Sequence, residues 1–359
     1  MSEDSGFCPR CGAKVETGDA FCVNCGASLK TGGTSEGRTS SADTKAGDGK
    51  GKLRSRVLSV IAVIAIVYVI FFMPGKDGDT VRNYADAAAS LVKQTDRHEE
   101  MIYLGYDIPG FEEELSGFQP SEVSVTLMGE DVMYRTYRQS FRYDGNPRHG
   151  ERSALTAYPE GAEIYLNKSG KEYSSLRLKI RMKYFITKSQ EDELQKKVEE
   201  ILAGLHLDGK SDYEKVRAIY NYICSNVTYD YVNLGNNDYL PQYTAYAALF
   251  DHTAVCSGVA ELFYVMAAAA GVEAHIKTSA DHAWNFVKVD GLYYYLDATW
   301  DLGRPESEYQ YFLKGKSDFI LNIEEISHRF TVTYDPHGFL NYLNHVDDGY
   351  SFSEYAYTA

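Results

Sequence analysis

The chain has 359 residues, of which 44% are hydrophobic, so it is long enough for two or three domains of ordinary globular composition. Its charge is uneven: residues 1–56 carry 9 basic and 7 acidic side chains, residues 57–73 carry none, and the remainder has a net charge of −17. Because so acidic a surface repels phosphates, the composition argues against nucleic acid as the main partner of the C-terminal part.

The first predicted element is a small metal-binding module at residues 7–29. CPRCG and CVNCG place Cys8 and Cys11, then Cys22 and Cys25, in two Cys-x2-Cys pairs. Each pair can turn two thiolates towards one ion, so the four together offer closed tetrahedral coordination to a structural zinc ion. The alternative, two disulfides, would need an oxidising compartment. The module resembles the short zinc ribbons of many bacterial membrane proteins, and its few basic residues favour protein contact over nucleic acid.

A flexible linker and a membrane anchor follow. Residues 30–56 are small and polar, lack apolar periodicity and end in basic side chains, which is typical of a flexible linker. Residues 57–73, VLSVIAVIAIVYVIFFM, are uncharged. As a helix they would span about 25 Å, which is within the range of transmembrane helices. The alternative is a buried core helix, but this run has no polar face.

The flanks of the apolar run predict its orientation. Four basic side chains lie within residues 50–56, whereas residues 74–79 contain one lysine and two aspartates. Basic flanks stay in the cytoplasm, so we expect a cytoplasmic N-terminus, a single pass through the cell membrane, and residues 74–359 outside the cell. A reducing cytoplasm would also keep the four thiols available for zinc.

A strand-rich extracellular region is predicted for residues 79–190. We expect a helix at 79–95 and mostly strands over 121–185, because EVSVTLMG and VMYRTYRQSFRYDG alternate apolar and polar side chains. Turn signals lie at 145–147 and 169–170. We expect this region either to position the domain that follows or to form part of its substrate cleft.

Two amphipathic helices are predicted next, at 189–205 and 212–226. Ser211 and Glu214 form a capping box in front of the second helix. Cys224 adjoins the apolar face of that helix. We interpret it as a core thiol, because no histidine or carboxylate has helix-compatible spacing to it.

A second cysteine stands at the start of an apolar helix. Cys256 opens CSGVAELFYVMAAAAG, a run that ends at Gly271. A helix N-terminus favours the thiolate and lowers the pKa of a cysteine there, and the backbone N–H of Cys256 could donate to an oxyanion. Gly258 would allow other groups to approach closely. Taken alone, a cysteine beside Val255 and Gly258 is more often a small buried residue than a nucleophile.

The register of a predicted hairpin brings a histidine and an aspartate together. HAWNFVKV and LYYYLDATW are strand-like and are separated by the two-residue turn signal at 290–291. With that loop, residue 289 faces residue 292, and Trp284 faces Asp297. His282 and Asp297 then become diagonal neighbours on one face, about 7–8 Å apart at the backbone. A slip of one residue would separate them.

The segment from TAYAALFDHTAVCSG to HAWNFVKVDGLYYYLDATWD resembles the bacterial transglutaminase-like domain, and the resemblance extends over residues 195–330. It implies a papain-like α+β fold in which the cysteine helix packs on an antiparallel sheet. It also implies acyl transfer through a thioester: Cys256 attacks a carbonyl, His282 takes the thiol proton and serves the leaving amine, and Asp297 fixes the imidazole tautomer. Residues 331–359 remain as a C-terminal extension.

The resemblance implies that an upstream residue completes the oxyanion hole, and Tyr246 and Gln242 are both candidates. Three functions stay open. The first is a membrane-anchored extracellular thiol peptidase or amidase acting on cell-surface proteins or peptides without a catalytic cofactor. The second is a cross-linking transglutaminase, and the third is a non-catalytic peptide-binding surface module. A complete triad argues against the third, since a binding module has no need of all three groups.

Overall fold

The computed structural model describes residues 6–7, 14–15, 80–111, 122–170, 172–279, 282–319 and 349–358. The predicted linker, the predicted membrane anchor at 57–73 and the four zinc-ligand candidates, Cys8, Cys11, Cys22 and Cys25, lie outside these residues. Within the described ranges, no helix has both the length and the apolarity to cross a membrane.

A four-stranded sheet and two helices form the first lobe. Its strands are β3 (Thr80–Val81), β4 (Met101–Asp107), β5 (Ala157–Ser169) and β6 (Glu172–Tyr184), in the order β3-β4-β6-β5. The helices span Tyr84–Thr95 and Glu122–Ser140 and pack on each other and against the sheet. Alternate strand residues are buried between sheet and helices, and they include Ile102, Leu104, Leu178 and Ile180.

The helix Glu122–Ser140 corrects our expectation of strands over 121–185. Its buried residues recur in pairs four positions apart, Val132 and Met133 followed by Thr136 and Tyr137, which is the period of a helix face. The short alternation in the sequence was therefore not a strand signal, because burial against the sheet outweighs the strand preference of β-branched residues. The hairpin of β5 and β6 confirms the strands and the turn predicted at 169–170.

The second lobe begins with the two predicted helices, which are confirmed as Lys188–Gly204 and Asp212–Asn226. Ser211 caps the second helix: its side chain accepts from the backbone N–H of Glu214, whose carboxylate accepts from the N–H of Ser211. Cys224 is buried in the core, as expected, and its thiol contacts a backbone carbonyl. Two short helices, Ala245–Phe250 and Ala298–Asp301, also lie in this lobe.

An apolar helix on an antiparallel sheet forms the centre of the second lobe. The cysteine helix, Cys256–Ala269, is buried over almost its whole length and packs on β9 (Ala274–Thr278) and β10 (Ala283–Val289). Strand β11 (Leu292–Leu296) pairs with β10 in the predicted register. Residues 349–358 return to the free edge of β11. This arrangement confirms the expected α+β fold.

Two charged residues of the first lobe, in the segment between the helix Glu122–Ser140 and β5, are buried against the second lobe. Arg152 forms hydrogen bonds with Glu191 and with Glu261 of the cysteine helix, and Glu151 contacts His275 of β9 at 2.8 Å. Gly150, which precedes them, has a φ of +76° and lies against the hydroxyl of Tyr264, where a Cβ would collide. The segment Gly150–Arg152 is therefore part of the core of the second lobe.

Candidate active site

The cysteine helix begins at Cys256, as the sequence predicts. Val255 occupies the cap position, and its backbone N–H donates to the carbonyl of Gln242 at 2.9 Å. The Cys256 side chain is only 1% exposed. Gly258 allows a close approach: a Cβ there would lie 2.8 Å from the carbonyl oxygen of Thr244. The first turn of the helix is thus fixed tightly against the chain that precedes it.

His282 and Asp297 meet beyond the end of the hairpin. The ladder of β10 and β11 keeps the predicted register but ends at the pair Asn285–Leu296. The pairing expected for Trp284 and Asp297 is therefore not formed. Asp297 instead caps the short helix Ala298–Asp301 through its Oδ1, which accepts from the N–H of Thr299 at 3.0 Å, while its Oδ2 lies 2.6 Å from Nε2 of His282.

Cys256 and Asp297 act on His282 together. The Cys256 side chain forms a hydrogen bond with His282, and because Nε2 faces Asp297, Nδ1 is the ring nitrogen available to the thiol. Burial alone would lower the pKa of His282, but the Asp297 carboxylate and the Cys256 sulfur outweigh it and raise the pKa to about 10. The imidazolium is therefore the favoured form at neutral pH, which suits a thiolate–imidazolium pair.

Two tryptophans enclose the imidazole. The ring of Trp284 stacks on His282 with centroids 5.7 Å apart, and the indole nitrogen of Trp300 lies 3.1 Å from Nε2. The indole N–H can donate to Nε2 only when that nitrogen carries no proton, whereas Asp297 accepts from it when it is protonated. Both protonation states of His282 therefore have a hydrogen-bond partner at this position.

A buried tyrosine–aspartate pair supports Asp297. The hydroxyl of Tyr220 lies 2.9 Å from the backbone carbonyl of Asp297 and 2.8 Å from a carboxylate oxygen of Asp301. Asp301 is fully buried and also accepts from the backbone N–H groups of Gln310 and Tyr311. This pair was not predictable from the sequence, because the contacts of Tyr220 link positions 77 and 81 residues apart.

Neither predicted oxyanion candidate presents a side-chain donor to Cys256. Tyr246 lies at the surface, where its hydroxyl donates to Glu193 at 3.1 Å, so this candidate was wrong. The amide nitrogen of Gln242 is committed to the carbonyl of Asn236 at 2.7 Å, so this residue touches the helix start only through its backbone. The residue beside Cys256 is Tyr229, whose hydroxyl forms a hydrogen bond with the backbone of Cys256.

A pocket opens from the imidazole to the surface. It is lined by Tyr229, Tyr231, His282, Thr299 and Trp300. Tyr231 is 66% exposed and its ring contacts that of Tyr229, with centroids 5.0 Å apart. A carbonyl group could enter between the tyrosines and Trp300 and approach the imidazole of His282, the hydrogen-bond partner of Cys256.

Comparison with known families agrees with this geometry. Residues 199–298 match the Transglutaminase-like superfamily, and this range includes Cys256, His282 and Asp297. Residues 7–29 match the zinc-ribbon domain, which confirms the expected content of the N-terminal module. Two segments of the chain are thus similar to a transglutaminase-like domain and to a zinc ribbon.

Two curated relatives match less than a third of the chain. The mouse protein named Kyphoscoliosis peptidase is 29% identical over 120 residues, which are 29% of this chain and 18% of that protein. The human protein of the same name is 28% identical over 122 residues, or 30% of this chain and 18% of that protein. The chain thus spans less than a fifth of the length of these relatives.

Two solved structures are similar at low identity. A structure titled as a TGase is 15% identical, with a TM-score of 0.27 over 62% of this chain and 60% of that chain. A candidate cysteine protease from Cytophaga hutchinsonii is 14% identical, with a TM-score of 0.25 over 45% of this chain and 68% of that chain.

Proposed function

We propose that this chain is a cysteine-dependent acyl-transfer enzyme, foremost a thiol peptidase or amidase. The observation that carries the proposal is the continuous contact of Cys256, His282 and Asp297 at the start of a buried helix, with a pocket opening to the imidazole. A nucleophile, a base within hydrogen-bond reach and a third group that orients the base are the arrangement that thiol catalysis requires.

The residues define a balanced reaction sequence. The Cys256 thiolate attacks the carbonyl carbon of a peptide or carboxamide, and the carbonyl electron pair moves to oxygen. When that tetrahedral intermediate collapses, the C–N bond breaks and the imidazolium of His282 gives its proton to the leaving amine. A water molecule then adds to the thioester, His282 takes its proton, and the carboxylic acid leaves as Cys256 is restored. Asp297 stabilises the imidazolium in both halves of the reaction.

The acyl acceptor distinguishes hydrolysis from cross-linking. Water gives a peptidase or amidase, whereas a lysine amine gives a transglutaminase. The name of the mouse and human relatives, a peptidase, favours water. A peptide-binding module without catalysis would not need an imidazole held between a thiol and a carboxylate.

We further propose that the enzyme is anchored in the cell membrane and acts outside the cell on surface proteins or peptides. The uncharged run at 57–73 and the basic residues before it support this topology. The N-terminal zinc ribbon would then be cytoplasmic and available for protein contact. Nucleic acid is not expected as a partner, because the remainder of the chain is strongly acidic.

The zinc proposal fits the described part of the ribbon. Strands β1 (Gly6–Phe7) and β2 (Lys14–Val15) pair antiparallel, so the six residues that connect them carry Cys8 and Cys11 between two adjacent strand ends. Together with Cys22 and Cys25, these thiolates would hold a structural zinc ion, which stabilises a ribbon too small to bury a core.

The experiment offers a peptide library and a labelled primary amine to the full-length chain in detergent. Cleaved peptides would identify a hydrolase, and incorporation of the amine would identify a transferase. Cys256→Ala should abolish both products, whereas Cys224→Ala, which alters a core thiol away from the pocket, should retain them. Peptide binding without any product in the wild-type chain would support the binding module instead.

A further inference from the structure

We propose that Tyr229 is the side-chain donor of the oxyanion hole, and that its hydroxyl occupies the place of the carbonyl oxygen while the site is empty. This inference rests on the proposed acyl-transfer function and names a residue within it. It replaces the two upstream candidates, whose side-chain donors are directed elsewhere.

Backbone pairing holds Tyr229 beside the nucleophile. Strand β7 (Thr228–Tyr229) runs parallel to β8 (Thr253–Ala254), with Tyr229 opposite Ala254. The N–H of Asp230 donates to the carbonyl of Ala254 at 3.0 Å. Because Ala254 lies two residues before Cys256, this pairing fixes the root of the Tyr229 side chain next to the first turn of the cysteine helix.

The hydroxyl of Tyr229 contacts the backbone group to which an oxyanion would bind. Cys256 is hydrogen-bonded to this hydroxyl through its backbone, and at the first residue of a helix the backbone donor is the N–H group. An oxyanion formed on attack by Cys256 would bind the same N–H. The phenolic oxygen therefore stands where the carbonyl oxygen of a bound substrate belongs.

Tyr229 keeps its proton in this environment. Burial and the neighbouring Cys256 sulfur raise the pKa of Tyr229 far above its usual value. The hydroxyl is thus protonated and can donate a hydrogen bond at neutral pH. It also lines the same pocket as His282, so a carbonyl that enters the pocket passes within reach of both.

The step this implies is an exchange of hydrogen bonds. An incoming carbonyl oxygen takes the N–H of Cys256, and the Tyr229 hydroxyl shifts by about the length of one hydrogen bond and donates its O–H to that oxygen. When Cys256 attacks, the negative charge on oxygen is held by these two donors. No proton leaves Tyr229, and both hydrogen bonds return to their resting arrangement when product leaves.

The test compares two reactions of the same thiol. Acylation by p-nitrophenyl acetate passes through an oxyanion. Its rate is measured from the release of p-nitrophenol, and the acetylated cysteine is identified by peptide mapping. Alkylation of Cys256 by iodoacetamide forms no oxyanion. Tyr229→Phe should slow acylation about 10²- to 10³-fold, as expected for removal of one oxyanion donor, and should leave alkylation equal or faster. The control Tyr246→Phe removes a surface hydroxyl and should change neither rate.

Each other outcome overturns the proposal. Equal slowing of both reactions would show that Tyr229 only positions the thiol, and faster rates for both would show that it only covers the site. Unchanged rates would make it a bystander. Failure of Cys256 to become acetylated in the wild-type chain, although iodoacetamide alkylates it, would refute the proposed acyl-transfer function itself, and the role of Tyr229 would fall with it.

Discussion

Replacement of Arg152 by methionine should destabilise the second lobe severely. The guanidinium is 2% exposed and donates to two carboxylates, at 2.9 Å to each oxygen of Glu191 and at 2.6 and 2.9 Å to Glu261. Burial alone would raise the pKa of Glu191, but Arg152 lowers it to about 2. Methionine keeps much of the volume and removes the charge, so two buried carboxylates would lose their shared counter-ion.

The expected loss is about 3–5 kcal/mol in the free energy of unfolding, which is typical when one partner of a buried ion pair is removed. Arg148→Met is the matched control. Arg148 pairs with Asp192 at 2.9 Å and more distantly with Glu191 at 3.9 Å. Arg148 and Asp192 are 27% and 52% exposed and Arg152 stays on Glu191, so loss of Arg148 should cost at most about 1 kcal/mol. The two variants remove the same charge within one short segment and differ mainly in burial.

Urea unfolding followed by tryptophan emission measures this difference in the full-length chain. The chain has two tryptophans, Trp284 and Trp300, and both lie beside His282, so the signal reports on the second lobe. The loss in free energy of unfolding caused by Arg152→Met should become smaller when the pH is lowered from 8 to 5. Buried carboxylates without a counter-ion have raised pKa values, so protonation favours the folded state at low pH and this contribution is lost as pH rises. A loss no larger than that of Arg148→Met would refute the reasoning.

Four further results are expected. Iodoacetamide should modify Cys256 far faster than Cys224, because burial raises the pKa of Cys224, and peptide mapping with equal rates at both would contradict this. Asp297→Asn should lower turnover of the peptide returned by the library about 10³- to 10⁴-fold with little change in the thermal melt, and near-full activity would make Asp297 a bystander. Folding raises the pKa of His282 from 6.5 to about 10, so protonation of His282 stabilises the folded state fully below pH 6.5, and this contribution is lost as the pH rises towards 10. The melting temperature should therefore fall between pH 6.5 and pH 10, and it should fall less steeply in His282→Ala. A thiol-reactive mercurial should release one zinc per chain, detected with a metallochromic dye, from the module at residues 7–29, and release of none would remove the metal assignment.

The sequence predicts the site well where contacts are local. The Asp290–Gly291 turn sets the register of the hairpin, so His282 and Asp297 meet although the ladder ends before it reaches them. The start of the cysteine helix was equally predictable, because the run that follows Cys256 is apolar over four turns. These features depend on spacings of twenty residues or fewer.

Distant contacts were not predictable from the pattern of residues. Tyr229 reaches Cys256 only because β7 pairs with β8, and two-residue strands give no periodic signal. Arg152 and Glu261 are 109 positions apart. The helix Glu122–Ser140 was misread for a different reason: its polar and apolar residues alternate by chance over a few positions, and only packing on the sheet reveals the helical face.

The buried guanidinium bears on how this protein could have been assembled in evolution. The matched domain, 199–298, contains Glu261 but neither Arg152 nor Glu191. A protein made of residues 199–298 alone would contain Glu261 without Arg152, the cation that neutralises it in this chain. The segment similar to transglutaminases is therefore not freely exchangeable between proteins. A recombination event that replaced the first lobe would have to retain residues 150–152 or be accompanied by substitution of Glu261 with an uncharged residue.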